Sequence, residues 1–259
     1  MSKLATEDEF LDLSDYGRSI AKLFANGLKN TRFTPIHVTL AFGVCGLIAI
    51  YCILQNHYFL ASFFIILKSI IDAVDGELAR IKNTPSYVGR YLDSVFDIIL
   101  NFLFFGTICF VSKTSLGMTL IAFFCIQLQG TLYNYYYLIL RHNSAGGDKT
   151  SKVFEDKSPR ALPGETQKWV NFWFKIYTIV YGVFDKIIHV LDSDAYKVKT
   201  LPNWFMTFVS LFGLGFQLLI IAIMLSLGWI DMIVPFFIFY SILIFVFIGI
   251  RKVFINKKE

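Results

Sequence analysis

Four aspartates within one window carry the first chemical signal in this chain: Asp72, Asp75, Asp93 and Asp97. With Gly76, Ala79, Arg80 and Gly89 they form the pattern D-x2-D-G-x2-A-R-x8-G-x3-D-x3-D. Asp72, Asp75 and Ala79 are spaced i, i+3, i+7 and share one face of a helix. Asp93 and Asp97, spaced i, i+4, share one face of the next. The connection from Arg80 to Tyr91 holds the turn formers Asn83, Pro85 and Gly89, so two adjacent antiparallel helices can point four carboxylates into one space. Four like charges at close range repel strongly in a low dielectric, and a divalent cation resolves the conflict. All-oxygen ligands suit Mg2+, Mn2+ or Ca2+ and argue against zinc; Mg2+ held this way commonly partners phosphates. The pattern therefore points to phosphoryl chemistry at a metal that neutralises a diphosphate and its leaving group. Arg80 supplies a fork for phosphate, and Gly76, Ala79 and Gly89 let a bulky ligand come close to the backbone.

The elements that must position these residues are membrane helices. The chain has 259 residues, 56% hydrophobic and 17% charged, where a soluble domain carries about 25% charged residues. Six spans are predicted, at 34–54, 58–81, 91–112, 116–140, 203–227 and 230–250, each long enough to cross a bilayer. The expected fold is an all-α integral membrane protein of about six transmembrane helices, preceded by an N-terminal amphipathic helix at the interface. That helix is read from Leu11, Ile20, Leu23, Phe24 and Leu28 at helical spacing between Phe10 and Lys29. The chain divides into an N-terminal tail and amphipathic helix (1–33), four spans with the motif (34–141), a loop with an interfacial helix (142–202), and two spans with a basic tail (203–259). Within the loop, Lys168 to Leu191 is aromatic and apolar but interrupted by Lys175, Asp185 and Lys186, which predicts a helix lying at the interface instead of a seventh span.

Charge fixes the expected orientation. The outer loops of the six-span arrangement contain one basic residue, Lys113; apart from Lys68 inside the second span, all other Lys and Arg fall on the opposite side. Positive charge marks the cytoplasmic face, so the motif and both termini are expected there. The net charge of +5 suits anionic lipid headgroups and gives no reason to invoke nucleic acid. The acidic, polar start of the chain lacks the pattern of a cleavable signal peptide. Cys45, Cys52, Cys109 and Cys125 all fall in apolar runs without CxxC spacing and read as buried thiols.

The window resembles the signature of the CDP-alcohol phosphatidyltransferase family, with every fixed position matched. Thr34-Pro35-Ile36-His37-Val38-Thr39 is similar to that family's TPNxxT-like start of the first span, with His where Asn is usual. The resemblance covers roughly residues 15–141. It implies an enzyme that moves a phosphatidyl group from CDP-diacylglycerol to a small polar alcohol and releases CMP. It also implies Mg2+ or Mn2+ on Asp72, Asp75, Asp93 and Asp97, a pocket for the CDP moiety lined by Asp75, Gly76, Ala79, Arg80 and Gly89, Asp97 as general base, and a homodimer. Arg141, ending the fourth span, is the candidate acceptor contact, with Arg90 and Lys149 behind it; snorkelling at the interface is the competing reading of Arg141. Lys68, one turn before Asp72, is expected to pair with a carboxylate. Alternatives are a CDP-choline or CDP-ethanolamine phosphotransferase acting on diacylglycerol, and a non-catalytic lipid-binding relative. A transporter fits less well, since no repeat or broken midplane helix is visible in the sequence.

Overall fold

The structure is a computed structural model that describes residues 4, 8–144, 157–198 and 200–255. It is all-helical, with no strand among the described residues. A helix α1 (Arg18–Leu28) precedes α2 (Pro35–Leu54), α3 (Tyr58–Ile81), α4 (Tyr87–Ser112), α5 (Leu116–Asn143) and α6 (Gln167–Leu191). The remainder is α7 (Asn203–Val209), α8 (Leu214–Ser226), α9 (Ile230–Tyr240) and α10 (Ile242–Ile250), the last ending in a π-helical turn, Arg251–Ile255.

Local chemistry sets the helix starts. Thr34 caps α2: its hydroxyl accepts the His37 amide, His37 Nδ1 accepts the Thr34 amide at 3.1 Å, and Pro35 occupies the first turn, where its missing N–H does no harm. His37, the departure from the family pattern, is thus a working half of a capping box. Ser86 caps α4 by accepting the Gly89 amide at 2.8 Å, and the Glu165 carboxylate accepts from both Val88 N and Ser86 Oγ at 2.8 Å. A carboxylate at a helix N-terminus also meets the positive end of the helix dipole.

Helix α3 packs against α1, α2 and α8, and α4 against α2, α5, α6 and α9. Close approach of α2 to α4 depends on Gly43 and Gly46, where a Cβ would meet Phe96 at 3.0 Å and Leu100 at 2.8 Å. Buried amides join the later helices: Gln129 Nε2 donates to Phe237 O and Ser241 Oγ, and Gln217 Nε2 to Ile126 O and Gln129 Oε1. Ser62 donates to Ala222 O at 2.7 Å, fixing α8 on α3.

Among the described residues, four helices are long and apolar enough to cross a membrane: α2, α4, α5 and the run Ile230–Ile255 through α9 and α10. A fifth is the pair Asn203–Phe212 and Leu214–Ser226, bent by 51°. The expected span at 203–227 is therefore broken, at Gly213. Ser14 packs against Gly213 and Gly215 in the space a side chain would need, and Leu13 N donates to Ser210 Oγ at 2.9 Å. The expected span at 58–81 forms as one helix, α3, but Lys68, Asp72 and Asp75 leave it without a sufficiently apolar stretch. The charges that make the site are what set it apart from the other spans. Helix α1 buries Ala21 and Ala25 against Val74 and Leu78 of α3 while Ile20, Leu23 and Phe24 remain exposed.

Candidate active site

Asp72 and Asp75 on α3 and Asp93 on α4 each bring one carboxylate oxygen within 4.8 Å of the other two. Asp75 is oriented by Thr39 of α2, whose hydroxyl donates to Oδ2 at 2.8 Å. Asp93 Oδ1 is buried and has no hydrogen-bond partner. Three carboxylate oxygens at this separation repel one another unless a cation sits between them. The group fits a hard divalent ion, whose oxygen ligands lie at about 2.0–2.6 Å.

Asp97, one turn beyond Asp93, is placed differently. Its Oδ1 accepts from the ammonium of Lys68, and Lys68 Nζ also lies 3.7 Å from Asp72 Oδ2. The structure thus gathers three of the four motif aspartates into one ligand set and ties the fourth to a buried lysine, the carboxylate partner expected for Lys68.

These groups open into a cavity of about 720 Å³. Asp72, Asp75, Gly76, Arg80, Asp93, Asp97 and Arg141 line it, as does Arg90; Ala79 and Gly89 do not. Gly89 sits in the first turn of α4, its amide on Ser86, where a Cβ would meet Ser86 Oγ at 3.2 Å. Lys149, with Gly146-Gly147-Asp148, lies outside the described residues. Arg80 lies over Gly76 and bonds Glu77 at 2.8 Å, and Arg18, paired with Asp15, reaches the same Glu77 carboxylate at 3.9 Å. Two of the arginines lining the cavity are therefore held by acids. Arg90 stacks over the Tyr91 ring at 4.6 Å.

Two cavity walls come from segments that the motif does not contain. Helix α6 contributes Tyr177, Thr178, Gly182, Asp185, Lys186 and Ile188. It is fastened to α4 by Tyr181 OH donating to Ser94 O at 3.0 Å and by Tyr91 packed against Phe174 and Tyr177. Its C-terminal end is fastened by Asp192, which is fully buried with Arg251 and accepts from Tyr136 OH at 2.6 Å. The other wall is the N-terminal turn, where Asp12 accepts from Tyr133 OH at 2.6 Å and from Ser14. The aromatic pattern of 168–191 signalled a helix, but not its neighbour, and Asp12 carried no signal in the sequence.

A carboxylate cluster beside a cavity lined by both acids and bases, among apolar helices, suits phosphoryl chemistry at a membrane. The profile of the CDP-alcohol phosphatidyltransferase family matches residues 32–234, and the chain belongs to that family. The family is one of transferases of substituted phosphate groups, and the apolar helices of this chain suit a multi-pass membrane protein. It is also similar to the CDP-diacylglycerol--serine O-phosphatidyltransferase of Bacillus subtilis (strain 168), at 36% identity over 67 residues. That stretch covers 26% of this chain and 38% of the relative.

Proposed function

We propose that this protein transfers a phosphatidyl group from CDP-diacylglycerol to a small polar alcohol, releasing CMP. The observation that carries the reading is the triad Asp72, Asp75 and Asp93 gathered at a cavity lined by Arg80, Arg90, Arg141 and Lys186. The three aspartates would hold Mg2+ or Mn2+, which when bound supplies charge neutralisation at the diphosphate and its leaving group. Thr39 fixes the Asp75 carboxylate, so the ligand set is preorganised. Gly76 leaves the α3 backbone open to the donor, and Arg80, steadied by Glu77, faces its phosphates. Asp97 takes the proton from the acceptor hydroxyl on Oδ2, while Lys68 on Oδ1 fixes the carboxylate's direction. The acyl chains stay in lipid, so a donor without them is expected to turn over poorly.

Serine is the acceptor to test first. It is the acceptor in the name of the bacterial relative, and the cavity lining includes both a carboxylate, Asp185, and the cations Lys186 and Arg141, the charges that a zwitterionic acceptor complements. The cavity, both termini and the basic loops belong to the cytoplasmic face in this reading, α6 lies along that interface, and the functional unit is a homodimer. The experiment is CMP release by purified protein with CDP-diacylglycerol and Mg2+ or Mn2+, with serine, inositol, inositol phosphate, glycerol phosphate or no acceptor. Release that requires one acceptor and stops with EDTA supports the reading and names the product. Undiminished release in excess EDTA refutes the metal site, and no release with any acceptor turns attention to CDP-choline or CDP-ethanolamine with diacylglycerol.

A further inference from the structure

One side of α6 is used neither by the cavity nor by the packing against α4 and α5. It carries Lys168, Lys175 and Lys186, all exposed. They stand seven and eleven residues apart. Those spacings are close to two and three whole turns at about 3.6 residues per turn, so the lysines form one line along the helix. We propose that this line is a binding surface for anionic phospholipid, which it gathers at the edge of the cavity, the donor lipid included. The inference rests on the reading of α6 as an interfacial helix and goes beyond it by naming what the helix holds.

The neighbours of the line define its surroundings. Four residues after each lysine comes an exposed apolar side chain: Phe172, Ile179 and Val190. Trp169 and Val183, also exposed, widen the same strip. On the other side of the line, Thr178, Gly182 and Asp185 line the cavity. A helix turns by about 100° per residue, so the positions three and four beyond a lysine fall to opposite sides of it. The lysines therefore run along the border between an apolar strip and the cavity wall. Lys186, exposed and itself in the cavity lining, marks where the line meets the cavity's edge. With that strip among acyl chains, α6 holds its flanking lysines at the level of the lipid phosphates, as their long apolar stems allow. No ion pair joins any of the three to an acid among the described residues, and Asp185, the one acid of α6, faces the cavity instead. Ammonium groups without acids, set beside apolar surface, fit phosphodiester headgroups; a lysine near the membrane surface favours anionic lipid by about fivefold. Lysines that only mark the cytoplasmic side could stand anywhere in the loop and need no common line. The proposed donor carries a diphosphate in the same leaflet, so the surface that collects anionic lipid also collects the donor.

The test uses Trp169 and Trp173 of α6 as fluorescent reporters. The other two tryptophans are replaced, as Trp204→Phe with Trp229→Phe. The full-length protein is placed in phosphatidylcholine vesicles in which a minor share of the lipid is brominated on its acyl chains. Brominated phosphatidylglycerol is expected to quench at least about twofold more than brominated phosphatidylcholine at the same share. Lys168→Gln with Lys175→Gln is expected to remove that difference, and Lys168→Arg with Lys175→Arg to keep it. The Gln pair leaves the cavity lining as it is. It is expected to raise the surface KM for CDP-diacylglycerol severalfold while the rate at saturating donor holds. Equal quenching by the two lipids in the protein with its lysines overturns the proposal, and so does a surface KM that the Gln pair leaves unchanged. Quenching by neither lipid overturns the interfacial reading of α6 as well. Quenching needs no turnover, so for a protein that releases no CMP the comparison of the two lipids decides alone, and it does the same if the Gln pair fails to fold.

Discussion

Each of two motif aspartates is aimed by a single side chain on another helix, and the two make different predictions. Asp97→Asn keeps the shape and the Lys68 hydrogen bond but removes the basic oxygen. CMP release is expected to fall by at least about a hundredfold, within the usual range for losing a general base. Mn2+ binding should hold, while the melting temperature should fall because the buried Lys68 loses its charged partner; full activity in this variant would refute the base assignment. Thr39→Val removes one hydrogen bond to Asp75 without touching the substrate. A net loss of about 1 kcal/mol in ligand orientation corresponds to roughly fivefold weaker metal binding. The Mn2+ concentration for half-maximal activity should rise by that factor while the rate at saturating metal changes little. A drop in saturated rate with unchanged metal affinity would mean that Thr39 acts elsewhere. At this scale the motif was legible because carboxylates at i, i+3 and i, i+4 can only cluster. The split of the fourth aspartate from the other three was not legible, since it depends on the rotamer and burial of Lys68.

Helices were legible where one residue type dominates a stretch, and less so where a distant contact decides. The glycines at 213 and 215 are compatible with a continuous span; it is Ser14, far away in sequence, that packs where the helix breaks. The pattern of α6 announces an apolar face, and the structure uses part of that face as a cavity wall by pinning both ends: Glu165 at the start of α4, and Asp192 against Arg251 and Tyr136. Asp192 and Arg251 are both fully buried, so removing one strands the other. Arg251→Met is expected to destabilise the protein by about 3–5 kcal/mol, a large part of the stability of a domain, and to lower its melting temperature in detergent. Replacing both members, as Asp192→Leu with Arg251→Met, is expected to recover most of that loss, because an apolar pair of similar volume often serves as well as a buried ion pair. A double variant no better than the single one would show that Asp192 matters through Tyr136 instead.

At the scale of the whole molecule, the helix directions and the charge distribution agree on one asymmetry. Following the chain, α3 ends and α4 begins at the motif, so Arg80, Lys82 and Arg90 share that end with Arg141 at the close of α5. The turn between α4 and α5, at the other end, carries Lys113. The exposed apolar strip of α1 points the same way: Leu23 and Phe24 are 73% and 59% exposed on a helix whose opposite side carries Arg18, Lys22 and Lys29, and such a helix is at home in an interface of lipid and water. Cations near the membrane favour the cytoplasmic leaflet, so the motif end should face the cytoplasm. Single cysteines at two exposed positions test this against the native thiol background. In intact cells, Ser115→Cys, in the α4–α5 turn, is expected to react with a membrane-impermeant maleimide. Arg160→Cys, in the segment before α6, is expected to react only after the membrane is opened. The reverse pattern would place the cavity on the outer face, away from any cytoplasmic supply of nucleotide-activated lipid, and would remove the basis for the proposed donor while leaving the metal-site reading untouched.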